Sequence, residues 1–163
     1  MAHQHVNIAC ALTSALLLAT TPALATPGDK FSASGIVNGH FGELNVNTSG
    51  DKTGKWGLHL KTLDDTDIGA DRLTVQVGGF SGWHAHPSPV FVTVTRGSIQ
   101  WYDAALCTPH SYSQGDSFIE PAYAVHNVRN SGSETAEFIA VVIKPEGFVG
   151  PAFRLDRPEP SAC

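Results

Sequence analysis

The chain has 163 residues, enough for one compact domain that can bury a core without staples. Ten Lys and Arg stand against 15 Asp and Glu, a formal charge of −5, and no basic cluster runs along the chain. That balance excludes a phosphate-tracking surface, and with it nucleic acid as a partner.

Taken in chain order, the first 25 residues carry no Asp, Glu, Lys or Arg, and residues 8–25, IACALTSALLLATTPALA, form an apolar run ending in the small-x-small pattern Ala23-Leu24-Ala25. This predicts a cleaved secretory signal over residues 1–25, with the positive end supplied by the amino terminus, His3 and His5. A membrane anchor is the alternative, but Thr13, Thr20, Thr21 and Pro22 interrupt a run already short for a span of about 20 residues. The expectation is therefore export, periplasmic or secreted, with no membrane contact after cleavage and a single domain over residues 26–163.

Beyond the signal, no ten-residue segment has a helical period. Residues 56–61, 73–77, 90–95, 99–102, 126–129 and 137–143 read as strands; the Asn/Gly-rich residues 45–54 and the Asp-rich residues 63–71 read as loops. Asn47-Thr48-Ser49 is a formal glycosylation sequon. Arg96-Gly97 predicts a tight hairpin with Gly97 at positive φ, which would set Trp101 beside Val92 and Val94 on one inner face. Many short strands at this pace predict an all-β sandwich or barrel. Cys107 and Cys163 are the cysteines left after signal removal, and an oxidising compartment favours a bridge between them that would pin the Pro-rich tail RPEPSAC. His110, in Cys-Thr-Pro-His, then remains a surface residue.

The chemistry centres on Gly82-Trp83-His84-Ala85-His86. On an extended strand His84 and His86 share one face, where two imidazoles can converge on one ion. Such a pair is common by chance, and His126 supplies a third. Gly78, five residues, His84-Ala85-His86, then three residues to Val90 and six to Gly97 form one spaced motif; Gly115, Pro121, His126 and Asn130 form a second, with Tyr123 where a Gly is usual. In these positions the sequence resembles the cupin superfamily. The resemblance implies a single double-stranded, jelly-roll-like β-barrel in which His84, His86 and His126 hold one divalent transition metal, iron, zinc or manganese. It also implies a small-molecule ligand and homo-oligomerisation, in the simplest case a homodimer.

The family's acidic ligand falls at Val90. Val90, Val92 and Val94 share the inner face of that strand, and Glu120, just before Pro121, reads as a loop residue not expected to ligate. Three neutral ligands would leave the ion its full charge and favour anionic, chelating ligands. The functional expectation is an exported metal-binding cupin, an Fe(II)-type oxygenase on a small anionic chelating substrate. The alternative is a non-catalytic small-ligand or metal-binding module, and whether the protein is catalytic stays open. An isomerase or lyase is disfavoured, because no general base is identifiable. Val90, Val92, Trp101 and Asn130 are expected to line the substrate pocket, with Trp101 serving first as core and Asn130 divided equally between orienting a ligand and holding a turn.

Overall fold

The computed structural model describes residues 26–48, 54, 56–148, 153–161 and 163; the signal expected over residues 1–25 lies outside them. Among the described residues there are twelve strands: β1 (Asp29–Phe41), β2 (Asn45–Thr48), β3 (Leu58–Lys61), β4 (Thr66–Phe80), β5 (His84–Ala85), β6 (Val90–Arg96), β7 (Ser98–Asp103), β8 (Pro109–Ser113), β9 (Ser117–Glu120), β10 (His126–Arg129), β11 (Ala136–Pro145) and β12 (Leu155–Asp156). Ten of them form one sheet that curls into a nearly closed all-β barrel. Its main path runs β12-β5-β10-β4-β11-β6-β9, with β1 on β4 and the β7–β8 pair on β10; β2 and β3 pair separately.

Alternation builds the core. Val90, Val92 and Val94 of β6 are buried, while Phe91, Thr93 and Thr95 between them are exposed. Leu73 and Val75 of β4, Ile99 and Trp101 of β7, Val128 of β10 and Phe138 of β11 complete one apolar cluster. Each such side chain contributes roughly 1.5–3 kcal/mol when fully buried, so the inner face fixes the register of every strand that carries it.

Two segments expected as loops are strands in part. Asn45–Thr48 pairs with Leu58–Lys61, and residues 66–71 belong to β4. The Asp-rich start of β4 is held on both edges, by β1 on one side and β11 on the other, over the whole stretch from Thr66 to Ala70. That double ladder overrides the poor strand propensity of Asp and Gly. Gly97 has the expected positive φ of 66°, yet β6 and β7 do not form a hairpin pair. The chain instead crosses there: β6 pairs with β9 and β11, and β7 with β8 and β10.

Cys107, in the β7–β8 connection, is bonded to Cys163, with Cα atoms 5.2 Å apart. The tail so anchored adds β12 to the edge of β5: Leu155 pairs with Ala85 and Asp156 with His84. Exposed His110 packs its ring 5.9 Å from that of Trp101.

Candidate metal centre

His84 in β5 and His126 in β10 stand directly opposite each other in an antiparallel pair, and His86 follows one residue beyond β5. All three are buried. Their ring centroids are 4.3 Å apart for His84 and His126, 4.9 Å for His84 and His86, and 5.2 Å for His86 and His126. One ligating atom from each lies within 4.8 Å of the other two.

The backbone sets the orientation of each ring. His84 Nδ1–H donates to Gly82 O at 2.8 Å, His86 Nδ1–H to Phe153 O at 3.2 Å, and His126 Nδ1–H to Ala124 O at 2.9 Å. With Nδ1 donating, the lone pair of each neutral ring is left on Nε2, the atom that takes a metal. Gly82 makes the first of these bonds at φ 75°, and a Cβ there would collide with Thr26 O. Tyr123 occupies the family's glycine position at φ 60° with its side chain exposed, and its N–H donates to His86 O at 2.7 Å. A non-glycine residue in that region carries roughly 1–2 kcal/mol of strain.

A carboxylate approaches the histidines from a different strand. Glu120 is the last residue of β9 and pairs directly with Val90, so the two side chains share one face. Its Oε2 lies 3.3 Å from His86 Nε2 and its Oε1 3.2 Å from His126 Nε2, with the side chain 6% exposed. The expectation that Glu120 sits in a loop is therefore wrong, since it ends β9 and faces two of the three imidazoles. A residue before proline is driven to extended backbone, which suits the end of a strand as well as a loop. A carboxylate that joined the three imidazoles would bring a divalent ion to +1 and weaken the anion preference expected of three neutral ligands.

Burial drives the His84 imidazole down to about 2, with charge on His126 and Arg154 acting the same way. Glu120 feels burial in the opposite direction, yet the charge on His126 and the contacts with both imidazoles hold it below the ordinary carboxylate range. Burial disfavours a proton on His126, but the Glu120 carboxylate outweighs this and raises it above the ordinary imidazole value. The His126–Glu120 approach is not aligned as a hydrogen bond, and His126 Nε2 is left buried without one. Such an atom is costly to leave unpaired. A cation among the three Nε2 atoms and the carboxylate would satisfy it, and this nitrogen and oxygen set fits iron, zinc or manganese.

His84, His86 and Glu120 line a cavity of about 410 Å³, with Val90, Phe31, Leu73, Phe138 and Val142 among its apolar walls. Three residues expected on that wall lie elsewhere. Val92 is core. Trp101 is core, stacks against His126 with centroids 5.8 Å apart at 28°, and is not among the residues that line the cavity. Asn130 holds a turn: its Nδ2 donates to Val75 O and Glu134 O, both at 2.8 Å, and its Oδ1 accepts Gly132 N–H at 2.9 Å. Loss of three hydrogen bonds at about 1 kcal/mol each predicts that Asn130→Ala lowers stability by about 3 kcal/mol, read from the denaturant midpoint, with metal affinity unchanged. A second convergence, of His40, Asp65 and Glu146, is exposed. There His40 Nδ1 lies 3.3 Å from Asp67 Oδ1 and 3.8 Å from Glu146 Oε1, a surface ion-pair network.

The family profile described as Cupin domain matches residues 71–142, a span that contains both histidine motifs. Residues 71–142 carry a cupin domain. Among solved structures, this cupin is similar to the polyketide cyclase RemF from Streptomyces resistomycificus, at 11% identity and TM-score 0.50, over 87% of this chain and 90% of that one. A cupin domain from Bordetella pertussis aligns at 17% identity and TM-score 0.47, over 74% of this chain and 98% of the other. A cupin 2 conserved barrel domain protein from Leptotrichia buccalis aligns at 17% identity and TM-score 0.47, over 71% of this chain but 41% of that protein, so this cupin spans less than half of its length. The likeness to these structures is one of fold. No curated protein matches the chain by sequence.

Proposed function

We propose that this chain is an exported metal-dependent cupin, an Fe(II)-type oxygenase acting on a small chelating anion, with His84, His86, His126 and Glu120 holding the ion. The observation that carries the proposal is the convergence of three imidazoles, each oriented by a backbone carbonyl, and one buried carboxylate, with His84, His86 and Glu120 on the wall of a ligand-sized cavity. When bound, iron supplies a Lewis acid and a partner for dioxygen. The chain's own part would be to fix the tautomers of the three imidazoles and to hold substrate in the cavity that His84, His86 and Glu120 line. Export, with residues 1–25 removed, is supported by the disulfide, which belongs to an oxidising compartment; recovery of a mature chain that begins at Thr26 tests it. Among the described residues no helix is long and apolar enough to cross a membrane.

Metal titration tests the centre. The mature chain is expected to take up close to one transition-metal ion, and His84→Ala or His126→Ala to lose it. Because Glu120 raises His126 above its ordinary value, the metal-free protein keeps a proton on that ring to a higher pH than a free imidazole would. The entering ion must displace that proton, so affinity rises with pH. Calorimetric titration at pH 6.5, in two buffers that differ in ionisation enthalpy, should report net proton release; no buffer dependence would contradict the His126–Glu120 account. Oxygen uptake by the iron-loaded protein with diketones, diphenols and thiols then tests catalysis, and bound iron without uptake assigns the chain to non-catalytic ligand binding.

A further inference from the structure

The cavity beside the metal residues also contains a cation of the chain's own. Arg154 lies on its wall with His84, His86 and Glu120. It sits between two tail contacts to the ligand strand: Phe153 O accepts from His86 Nδ1, and Leu155 and Asp156 pair with Ala85 and His84. Its side chain is only 18% exposed. The guanidinium Nε donates to Asp156 Oδ1. Asp156 is the partner of this guanidinium, and it meets the Nε side.

Three carboxylates share this wall with Arg154: Asp71, Glu120 and Asp156. Glu120 is taken up by His86 and His126, and Asp156 meets the Nε side. Asp71 lines the cavity at the β1 side, its Oδ1 close to Gly35. The remaining surface is largely apolar, from Phe31, Leu73, Phe138, Ala140 and Val142. A guanidinium edge presents paired donors that match a carboxylate better than any neutral group, and a cavity of about 410 Å³ is at the small end of ligand sites.

We propose that Arg154 makes this cavity a receptor for a small organic carboxylate, which places its carboxylate on the terminal nitrogens of Arg154 and its apolar body against Phe31, Leu73 and Phe138. This deepens the metal-dependent reading and rests on it for what meets the other end of the ligand, but anion recognition belongs to Arg154 and not to the ion. It adds a source of anion preference where Glu120 would weaken that of the ion.

Benzoate and its neutral analogue benzamide are suitable probes, titrated by calorimetry or by NMR against the full mature chain, zinc-loaded and zinc-free. Charge-assisted hydrogen bonds lead us to expect benzoate to bind at least about tenfold more tightly than benzamide in both states. Arg154→Gln should abolish that preference and leave benzamide affinity and zinc content unchanged; Arg154→Lys, which keeps the charge without the fork, should retain part of it. The proposal is overturned if benzoate does not bind, if the wild type does not discriminate, if Arg154→Gln and Arg154→Lys both bind benzoate as the wild type does, or if discrimination disappears when zinc is removed. Failure of the metal reading shows separately, as no zinc uptake with the benzoate preference intact.

Discussion

Glu120→Gln is expected to weaken divalent-metal binding by more than about 100-fold, the upper end of what loss of a mere outer partner costs at a metal site, while the barrel stays folded. The amide keeps the shape of the carboxylate beside His86 and His126 but removes the charge that both imidazoles face. The sharper form of the test is an exchange across the β6–β9 ladder. Val90 and Glu120 are paired residues on one face, so each has its Cβ about 4.5–5.5 Å from the other's. Val90→Glu alone sets a second carboxylate beside the first in a buried site. Like charges there should lower stability, and one of the two should be forced to stay protonated near neutral pH. Val90→Glu combined with Glu120→Val returns the acid to the usual motif position and should recover most of the metal affinity lost in Glu120→Val. The measurements are metal content after dialysis and competition with a chromogenic chelator. Wild-type affinity in Glu120→Gln, or no recovery in the exchanged protein, would remove Glu120 from the centre.

The same pair explains what could be read from the amino-acid order and what could not. His84 and His86 are two residues apart and His126 stands in a spaced motif, so local alternation and spacing bring them into view. Their orienting acceptors divide differently. Gly82 O and Ala124 O are two residues from the histidines they hold, whereas Phe153 O is 67 residues from His86. Glu120 ends the four-residue segment Ser-Phe-Ile-Glu, too short and too mixed to announce a strand; its place is set by pairing with a strand 30 residues earlier in the chain. β1 escaped for a related reason. Its sequence DKFSASGIVNGHF is almost wholly exposed, so it has no buried face to impose a period, and backbone pairing with β4 holds it in register. At Gly97 the local geometry was legible and the partner was not: a positive φ serves a crossing between strands as readily as a hairpin.

Opening the Cys107–Cys163 bridge, by reduction or in a Cys107→Ser/Cys163→Ser protein, should reach the metal centre although neither sulfur touches it. The bridge closes a loop of sequence separation 56, for which chain entropy alone gives about 4 kcal/mol of stabilisation. For a domain of this size that corresponds to a fall in melting temperature of roughly 8–16 °C. The larger consequence is where the tail lies. It carries the carbonyl that fixes His86, the strand that covers His84 and Ala85, and the Arg157 N–H that donates to Trp83 O at 2.9 Å. At its other end the bridge holds the loop that follows Asp103, the residue paired with His126. A released tail therefore frees the His86 ring to rotate and removes the edge partner of β5. Loss of one orienting bond of this kind costs about 10–100-fold in metal affinity, and an equal loss is expected in the serine protein under conditions where it remains fully folded. His86 should then give a shifted or broadened imidazole resonance, while His126, whose acceptor Ala124 lies within its own turn, stays fixed. An unchanged His86 signal with full metal affinity would mean that the tail stays docked through β12 alone, and that the bridge stabilises the barrel without shaping the centre.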